Sequence, residues 1–396
     1  VTPRTTILQV FNRYLQSGGE DKSVERIQRH AALRHDVSRC FFESSSWTGS
    51  QAPSALQQAA RFFDNPDSAR QFEQRVRETH AQAALFHNIY PVGSPSLYRS
   101  ALQQHLPVIQ YLHNYRPFSV GGSLFYNGRV QTAPLHGHYY GEVRAGAWQS
   151  RTKSALCALM LKRLHRSGWL ESVKAWVTIS QFMADLLAEH GCVPRERLHV
   201  LRHSWDAMPE LPQIEDTGSY LFLGRLIPEK GLQPLIQAWH ELRQHLGERT
   251  PELHIAGEGG LQSFIESAAA QNPSIHYLGH LSGEAKHNAL RRCRALVAPS
   301  IWWEPLGLMI YEAYDYAKPV LAARSGGLIE TVQHCQTGLL HTPGDVSAIV
   351  QDVLALESMS QDQRRQLGDH ARQWLLRETS VTAWQDKFDH MLQSIA

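Results

Sequence analysis

Tyr220-Leu221-Phe222-Leu223-Gly224-Arg225-Leu226-Ile227-Pro228-Glu229-Lys230-Gly231 is the stretch on which the fold turns. A short apolar run of strand length closes at a glycine, and two cations five residues apart follow it. Strand, turn, then Arg225 and Lys230 suits a diphosphate. Arg225 offers a planar fork and Lys230 a point charge, and both stabilise a leaving group as its negative charge grows. The same loop also fits a solvated turn with an incidental Glu229/Lys230 pair. Outward from this stretch come Leu253-His254-Ile255-Ala256-Gly257-Glu258-Gly259, His276-Tyr277-Leu278-Gly279-His280 and Ala295-Leu296-Val297-Ala298-Pro299-Ser300. Each is a short apolar run closed by Gly or Pro, and helix-length segments separate them. That is the pattern of a parallel α/β sheet.

Further on, two acids bracket Glu304-Pro305-Leu306-Gly307-Leu308-Met309-Ile310-Tyr311-Glu312. Proline after an acidic residue, followed by Leu306, Leu308, Met309 and Ile310, predicts a helix that starts at Pro305, where a missing N–H costs nothing. Glu304 then sits at the helix mouth. Eight residues at helical rise and rotation put Glu312 about 12 Å along and about 80° around from it, within reach of one extended polar ligand. Free N–H groups of the first turn would favour phosphate or sugar oxygens. An ordinary helix with an acidic start fits the same residues.

The series resembles the group 1 family of retaining glycosyltransferases, called family 4. The resemblance runs from about Tyr220 to Pro343: the Gly-Arg…Glu-Lys-Gly turn, the Gly-Glu-Gly loop, the Pro299-Ser300 strand end, the paired glutamates, and Arg324-Ser325-Gly326-Gly327-Leu328-Ile329-Glu330. It implies an α/β GT-B fold, two Rossmann-like domains with a deep interdomain cleft. It also implies that Glu312 binds the ribose hydroxyls, that Glu304 with the backbone at Leu306, Gly307 and Leu308 meets the donor sugar, and that Arg225 and Lys230 hold the diphosphate. Gly257 belongs to the same donor-binding set. One departure is Lys318, where the family commonly has glycine before the Pro319 strand; the expected consequence is an altered turn.

The amino-terminal half is less distinctive. Thr6-Ile7-Leu8-Gln9-Val10 predicts a first strand, and Ser17-Gly18-Gly19-Glu20 precedes a helical run beginning near Ser23. Gly18 and Gly19 would let backbone approach phosphate, as in the family's amino-terminal turn, or simply make a turn. A dinucleotide fingerprint is absent from this position. Ala84-Leu85-Phe86-His87-Asn88 and Pro107-Val108-Ile109-Gln110-Tyr111-Leu112-His113-Asn114-Tyr115-Arg116 each end an expected strand with His-Asn. Ligands of open α/β sheets gather at such ends. His113 matches the family histidine that contacts the donor hexose near the reacting carbon, and His87 can line the same place; either can also be a satisfied histidine.

With 396 residues and 42% apolar content the chain can bury two cores. Residues 1–206 are expected to form the acceptor-binding domain, residues 207–378 the nucleotide-sugar domain, and about 379–396 a helix packing back on the first. Pro209, Pro212 and Glu215 mark a linker at 207–216. Net charge is +2, but residues 1–206 hold 24 Lys/Arg against 15 Asp/Glu and residues 207–396 hold 15 against 22, balances of +9 and −7. Such a field favours anionic partners of the first domain, including a phospholipid surface or a lipid-linked diphosphate acceptor; a glycan or a small-molecule acceptor fits the reading too. Its densest part, Arg151 to Trp169, fits either a membrane-surface helix or a core-packing helix with a basic edge.

No run approaches the length of a membrane span, and Arg4 and Arg13 interrupt any secretory core, so a cytoplasmic protein, peripheral at most, is expected. Cys40, Cys157, Cys192, Cys293 and Cys335 lack Cys-x-x-Cys spacing and are expected to be reduced. His136-Gly137-His138 has no acid or cysteine close by to complete a metal site, and no Asp-x-Asp occurs, so neither a metal nor another cofactor is expected. No nucleic-acid motif is present.

The expected activity is transfer of a hexose-type sugar from a nucleoside diphosphate sugar to an acceptor hydroxyl, with retention, by the family's front-face route. Arg225, Lys230, Glu304 and His113 are the expected catalytic residues. His113-Asn114-Tyr115-Arg116 and Trp302-Trp303-Glu304 look most like members that build cell-surface glycans. A nucleotide-sugar epimerase, a glycan phosphorylase, or a catalytically silent scaffold that binds nucleotide sugar are the rival readings.

Overall fold

A computed structural model describes residues 4–15, 18–208, 210–211 and 215–395; Ser17, Pro209 and Pro212, singled out above, lie outside the described residues. Two compact units are present. One takes in Val1–Asn127, Gln131–Ser204 and Val381–Ala396, the other Gly128–Val130 and Trp205–Ser380.

The first unit is built on a sheet of six strands: β1 (Thr6–Arg13), β2 (Asp36–Glu43), β3 (Ala83–Phe86), β4 (Val108–Leu112), β5 (Val173–Thr178) and β6 (Leu198–Val200), in the order β2-β1-β3-β4-β5-β6. All pairs are parallel. Ile7 to Asn12 are buried without alternation, as are all residues of β3 and β4, because crossover helices cover both faces of such a sheet.

The second unit repeats the plan with β7 (Tyr220–Leu223), β8 (Leu253–Ala256), β9 (Ile275–Gly279), β10 (Ala295–Ala298), β11 (Val320–Ala323) and β12 (Gly338–His341), ordered β9-β8-β7-β10-β11-β12 and again all parallel. Helix Leu232–Leu246 buries Leu232, Leu235, Trp239 and Leu242 at helical spacing in this core. Trp239 is wholly buried and donates its indole N–H to the Pro251 carbonyl at 2.9 Å. Truncating it to alanine would cost about 3–5 kcal/mol by cavity formation.

In both sheets the chain runs to one side, returns, and continues on the other. The reversal falls between β1 and β3 in the first unit and between β7 and β10 in the second. Loops leaving the carboxyl ends of strands at such a reversal diverge and leave a crevice. This places the segments after β1, β3 and β4, and those after β7 and β10, as the ligand-facing parts of their respective units.

Helix Val381–Ile395 belongs to the first unit. Trp384, Phe388 and Leu392 are buried, Gln385 donates to the His30 carbonyl at 2.8 Å, and Asp389 lies 2.8 Å from both Arg34 and His35. The first helix of that unit is Gly19–Ala32, four residues earlier than the apolar spacing suggests. Gly18 acts as its cap, and the Gly18 N–H reaches the Asp21 carboxylate at 2.9 Å. Lys318 is buried and donates to the Glu215 carbonyl at 2.9 Å, beyond a turn in which Ala317 takes a φ of 50°. Burial pulls the Lys318 ammonium below its ordinary pKa.

Candidate functional site

Between β7 and helix Leu232–Leu246, a short 3-10 turn over Pro228–Lys230 aims Lys230 inward. The turn can close because Gly231 has a φ of +71°; a Cβ there would lie 1.9 Å from the Pro299 carbonyl oxygen, inside any contact distance. The Ile301 N–H donates to the Glu229 carbonyl at 2.9 Å and ties this loop to the segment after β10. Loop and segment thus bring two residues distant in sequence together. The Lys230 ammonium lies 2.7 Å from Glu304 Oε2, with both side chains buried. That same oxygen accepts from Trp302 Nε1 at 2.9 Å and from Ser300 Oγ at 3.1 Å. Three donors on one oxygen hold the carboxylate in a single orientation. Lys230 also stands 5.6 Å from the centre of the Trp302 ring.

Helix formation does not begin at Pro305. Gly307 takes φ 86° and ψ 65°, a left-handed conformation that interrupts the helix and makes it the cap of Leu308–Asp315. Glu304, Pro305 and Leu306 therefore lie before the helix in irregular chain, and the twelve-ångström relation between the two acids, which assumed one continuous helix, does not apply. Glu304 is instead fixed from the other side: Gly327 N–H donates to the Glu304 carbonyl at 2.7 Å, and Ser325 Oγ bonds the Trp302 carbonyl. The Arg324–Glu330 motif thus serves as a brace for the acid.

Glu312 lies within the helix and is partly buried, 2.9 Å from Lys286 Nζ on helix Gly283–Arg292. Arg225 is exposed on the loop that follows β7. Gly257 closes β8 with a φ of +148°, and a Cβ on it would sit 1.8 Å from the Gly224 carbonyl oxygen, so the two loops touch only because side chain is missing there. Leu306 and Gly307 are buried and Leu308 is partly exposed.

In the first unit, the ends of β3 and β4 and the helix start after β1 surround a small pocket of about 10 Å³ lined by Glu20, His87, Asn88, Tyr90, His113 and Arg116, among others. A hydrogen-bonded chain leads to it. The Gln9 amide nitrogen donates to the Val24 carbonyl at 3.0 Å and stands 2.9 Å from His87 Nε2, whose other nitrogen is 2.8 Å from His113 Nε2. With the Gln9 nitrogen as donor, His87 Nε2 must accept, His87 Nδ1 must carry the proton, and His113 must accept at Nε2 and carry its own proton at Nδ1. That His113 Nδ1 is buried without a partner. Burial pushes the His113 imidazole down to about 3, and burial with the neighbouring imidazoles holds His87 and His203 well below the usual histidine value. His113 packs against both Tyr111 and His203 at ring separations of 5.1 and 5.2 Å, and those two rings lie 5.7 Å apart. It is a neutral donor in a fixed plane.

Three further unpartnered buried atoms line the same space: Glu20 Oε1, Arg116 Nε and Tyr90 Oη. Glu20 Oε2 accepts from Tyr14 Oη at 3.0 Å and Asn114 Nδ2 at 3.3 Å, and burial, opposed by the Tyr14 bond and the Arg116 charge, pushes its carboxyl up to about 7. Glu20, Arg116 and the partner roles of Gln9, His203 and Lys286 were not assigned from sequence; an acid placed directly after Gly18-Gly19 in a first helical turn was the available signal for Glu20. Gly18 and Gly19 themselves are exposed at that helix start.

Helix Arg151–Arg166 turns Cys157, Ala158, Met160, Leu161 and Leu164 into the core and leaves Arg151, Lys153, Lys162, Arg163 and Arg166 outside with Leu159. Trp169 is flanked by Arg99 and Arg163 at 5.4 and 5.6 Å. Among the described residues all five cysteines are free, and no helix is long and apolar enough to cross a membrane. His136 pairs with His190 at 3.0 Å.

Residues 204–374 match the family model of glycosyl transferases group 1. Glycogen synthase of Mycobacterium tuberculosis is 32% identical over 244 residues, 55% of this chain and 57% of that protein. O-antigen chain mannosyltransferase B of Escherichia coli is 29% identical over 225 residues, 52% of this chain and 56% of that protein. The chain therefore spans a little over half the length of these relatives. The structure of Anabaena HepE in complex with UDP and glucose aligns at a TM-score of 0.67 and 16% identity over 99% of this chain and 100% of that one. Its two parallel-sheet units are those of the GT-B fold.

Proposed function

We propose, for a chain whose residues 204–374 belong to the group 1 glycosyltransferases, that it transfers a hexose-type sugar from a nucleoside diphosphate sugar to an acceptor hydroxyl, with retention and without a metal. The observation that carries this reading is the buried Lys230–Glu304 pair at the β7/β10 reversal. An ammonium has three N–H donors, and the carboxylate uses one. The remaining two can meet diphosphate oxygens, and exposed Arg225 can add its fork from the loop. Glu304 and the backbone from Leu306 to Leu308 would receive the sugar, Glu312 the ribose hydroxyls after release from Lys286, and Gly18, Gly19 and Gly257 the close approach of phosphate and nucleotide.

In this mechanism the bond from the sugar's anomeric carbon to the leaving phosphate oxygen lengthens until an oxocarbenium-like centre forms. The same phosphate oxygen then takes the acceptor hydroxyl's proton while the acceptor oxygen bonds to the anomeric carbon on the face the phosphate leaves. Lys230 and Arg225 stabilise the departing charge. His113, neutral and with its proton at Nδ1, donates to a hexose oxygen without adding a charge beside the cationic centre. The first unit would bind the acceptor. The basic outer side of Arg151–Arg166 supports electrostatic attraction to anionic headgroups at a cytoplasmic membrane face, without insertion, since its apolar side is already packed. The likeness to an O-antigen mannosyltransferase supports a cell-surface glycan as product.

Incubation with uridine, guanosine and adenosine diphosphate sugars tests the proposal. Release of nucleoside diphosphate by the parent but not by Lys230→Ala is the expected result. Nucleotide-sugar binding with no release from any donor, with or without candidate glycan acceptors, would establish the scaffold reading in its place.

A further inference from the structure

Away from this chemistry, three metal-ligating side chains meet on one face of the second sheet. β8 and β9 are parallel neighbours in which His254 lies directly opposite His276, and β9 is the edge strand. Alternation along the chain puts Glu252, two residues before His254, on the same face. His254 Nε2 lies 3.0 Å from Glu252 Oε2, His276 Nε2 lies 3.8 Å from Glu252 Oε1, and the two imidazole rings stand 5.3 Å apart. One donor atom from each residue falls within 4.8 Å of the others. His276 Nε2 is itself buried and lacks a hydrogen-bond partner.

We propose that Glu252, His254 and His276 form a binding site for a divalent transition ion of the zinc class. Tetrahedral bonds of 2.0–2.1 Å separate neighbouring ligand atoms by about 3.3 Å, and the three donor atoms, within 4.8 Å of one another, would draw in to that separation on binding. Two imidazoles and one carboxylate suit zinc, cobalt or nickel; magnesium and calcium require mostly oxygen ligands. Water completes the fourth position, which the exposed carboxylate side leaves accessible: 58% of the Glu252 side chain is exposed, against 26% for His254 and 41% for His276. For binding, neutral His254 moves its proton from Nε2 to Nδ1 and exchanges the Glu252 hydrogen bond for a bond to the ion.

The site sits toward the amino ends of β8 and β9, whereas Lys230, Gly257 and Glu304 follow the carboxyl ends of their strands. It is therefore separate from the proposed donor site and independent of whether that reading holds. An ion there would clamp the edge strand to its neighbour, since the ligands come from both.

The test is calorimetric titration of the chelator-treated full chain with zinc chloride, repeated for His254→Asn, His276→Asn, Glu252→Gln and, as a control, His136→Asn. Visible absorption of bound cobalt reports the geometry. A single dominant zinc site is expected, weakened on the order of 100-fold in either strand-histidine variant and retained in the control. The exposed Glu252→Gln change keeps the test open should a histidine variant fold poorly. Equal zinc affinity in parent and in all three site variants overturns the proposal, as does loss of binding in His136→Asn alone, which would assign the ion to the His136/His190 pair.

Discussion

The two polar sites of this molecule are built from opposite materials. Around His113, the first unit assembles mostly uncharged groups, imidazoles deprived of charge by burial, an amide, a phenol and a carboxyl raised to about 7, with the Arg116 guanidinium beside them. Around Glu304, the second unit assembles paired charges, Lys230 with Glu304 and Lys286 with Glu312. Uncharged donors and acceptors distinguish hydroxyl patterns by hydrogen bonds, while ammonium and guanidinium groups attract and stabilise phosphate. Under the proposed function, sugar recognition and leaving-group stabilisation place contrary demands on charge, and each sheet would meet one of them.

The largest effect that can break this contrast is expected at Lys230. Lys230→Ala leaves a buried carboxylate without its cation, so denaturant titration should show a loss of about 3 kcal/mol, together with loss of turnover. Arg225→Ala should separate the two consequences. The residue is exposed, so stability should stay within about 0.5 kcal/mol while turnover falls by about 2.7–4 kcal/mol of barrier. Turnover at the parent rate in this variant would remove Arg225 from the mechanism.

A pH series sharpens the same comparison in the first unit. Glu20 binds its proton more tightly when folded, so its contribution is complete below its unfolded pKa and is lost as pH rises toward about 7. Glu20→Gln should therefore stabilise the protein at pH 8 by up to about 3 kcal/mol and leave it unchanged at pH 4, read from denaturant midpoints. The depressed imidazoles act in the other direction: their contribution is complete above pH 6.5 and is lost as pH falls. Replacing His203 by Gln should flatten that acid limb. A smaller effect belongs to Glu312→Ala, which should weaken nucleoside diphosphate binding by about 1.5–3 kcal/mol in a titration, with little change in turnover at saturating donor.

Much of this was legible in the chain itself. The strand runs ending at Gly224, Gly257 and Ser300 fell where the sheet places them, because a strand buried on both faces needs an unbroken apolar run and a loop must follow it. The acid at 304 was visible, but its setting was not. One residue, Gly307, entering left-handed space cancels a helix that local spacing favours, and the anchoring bonds come from Ser325 and Gly327 on another strand's loop. The Gln9–His87–His113 chain was hidden for the same reason: Gln9 lies on β1, His87 and His113 directly follow β3 and β4, and only sheet order brings them together. The opposition of His254 and His276 is equally a product of strand pairing.

Helix Val381–Ile395 completes the unit that begins at β1, although Trp205–Ser380 forms the other. On the ribosome, residues 4–204 must therefore wait, with the surface around His30 and His35 still wet, until the whole intervening unit has been synthesised. Truncation before residue 381 should expose that surface and harm the amino-terminal half, which a protease would cut first.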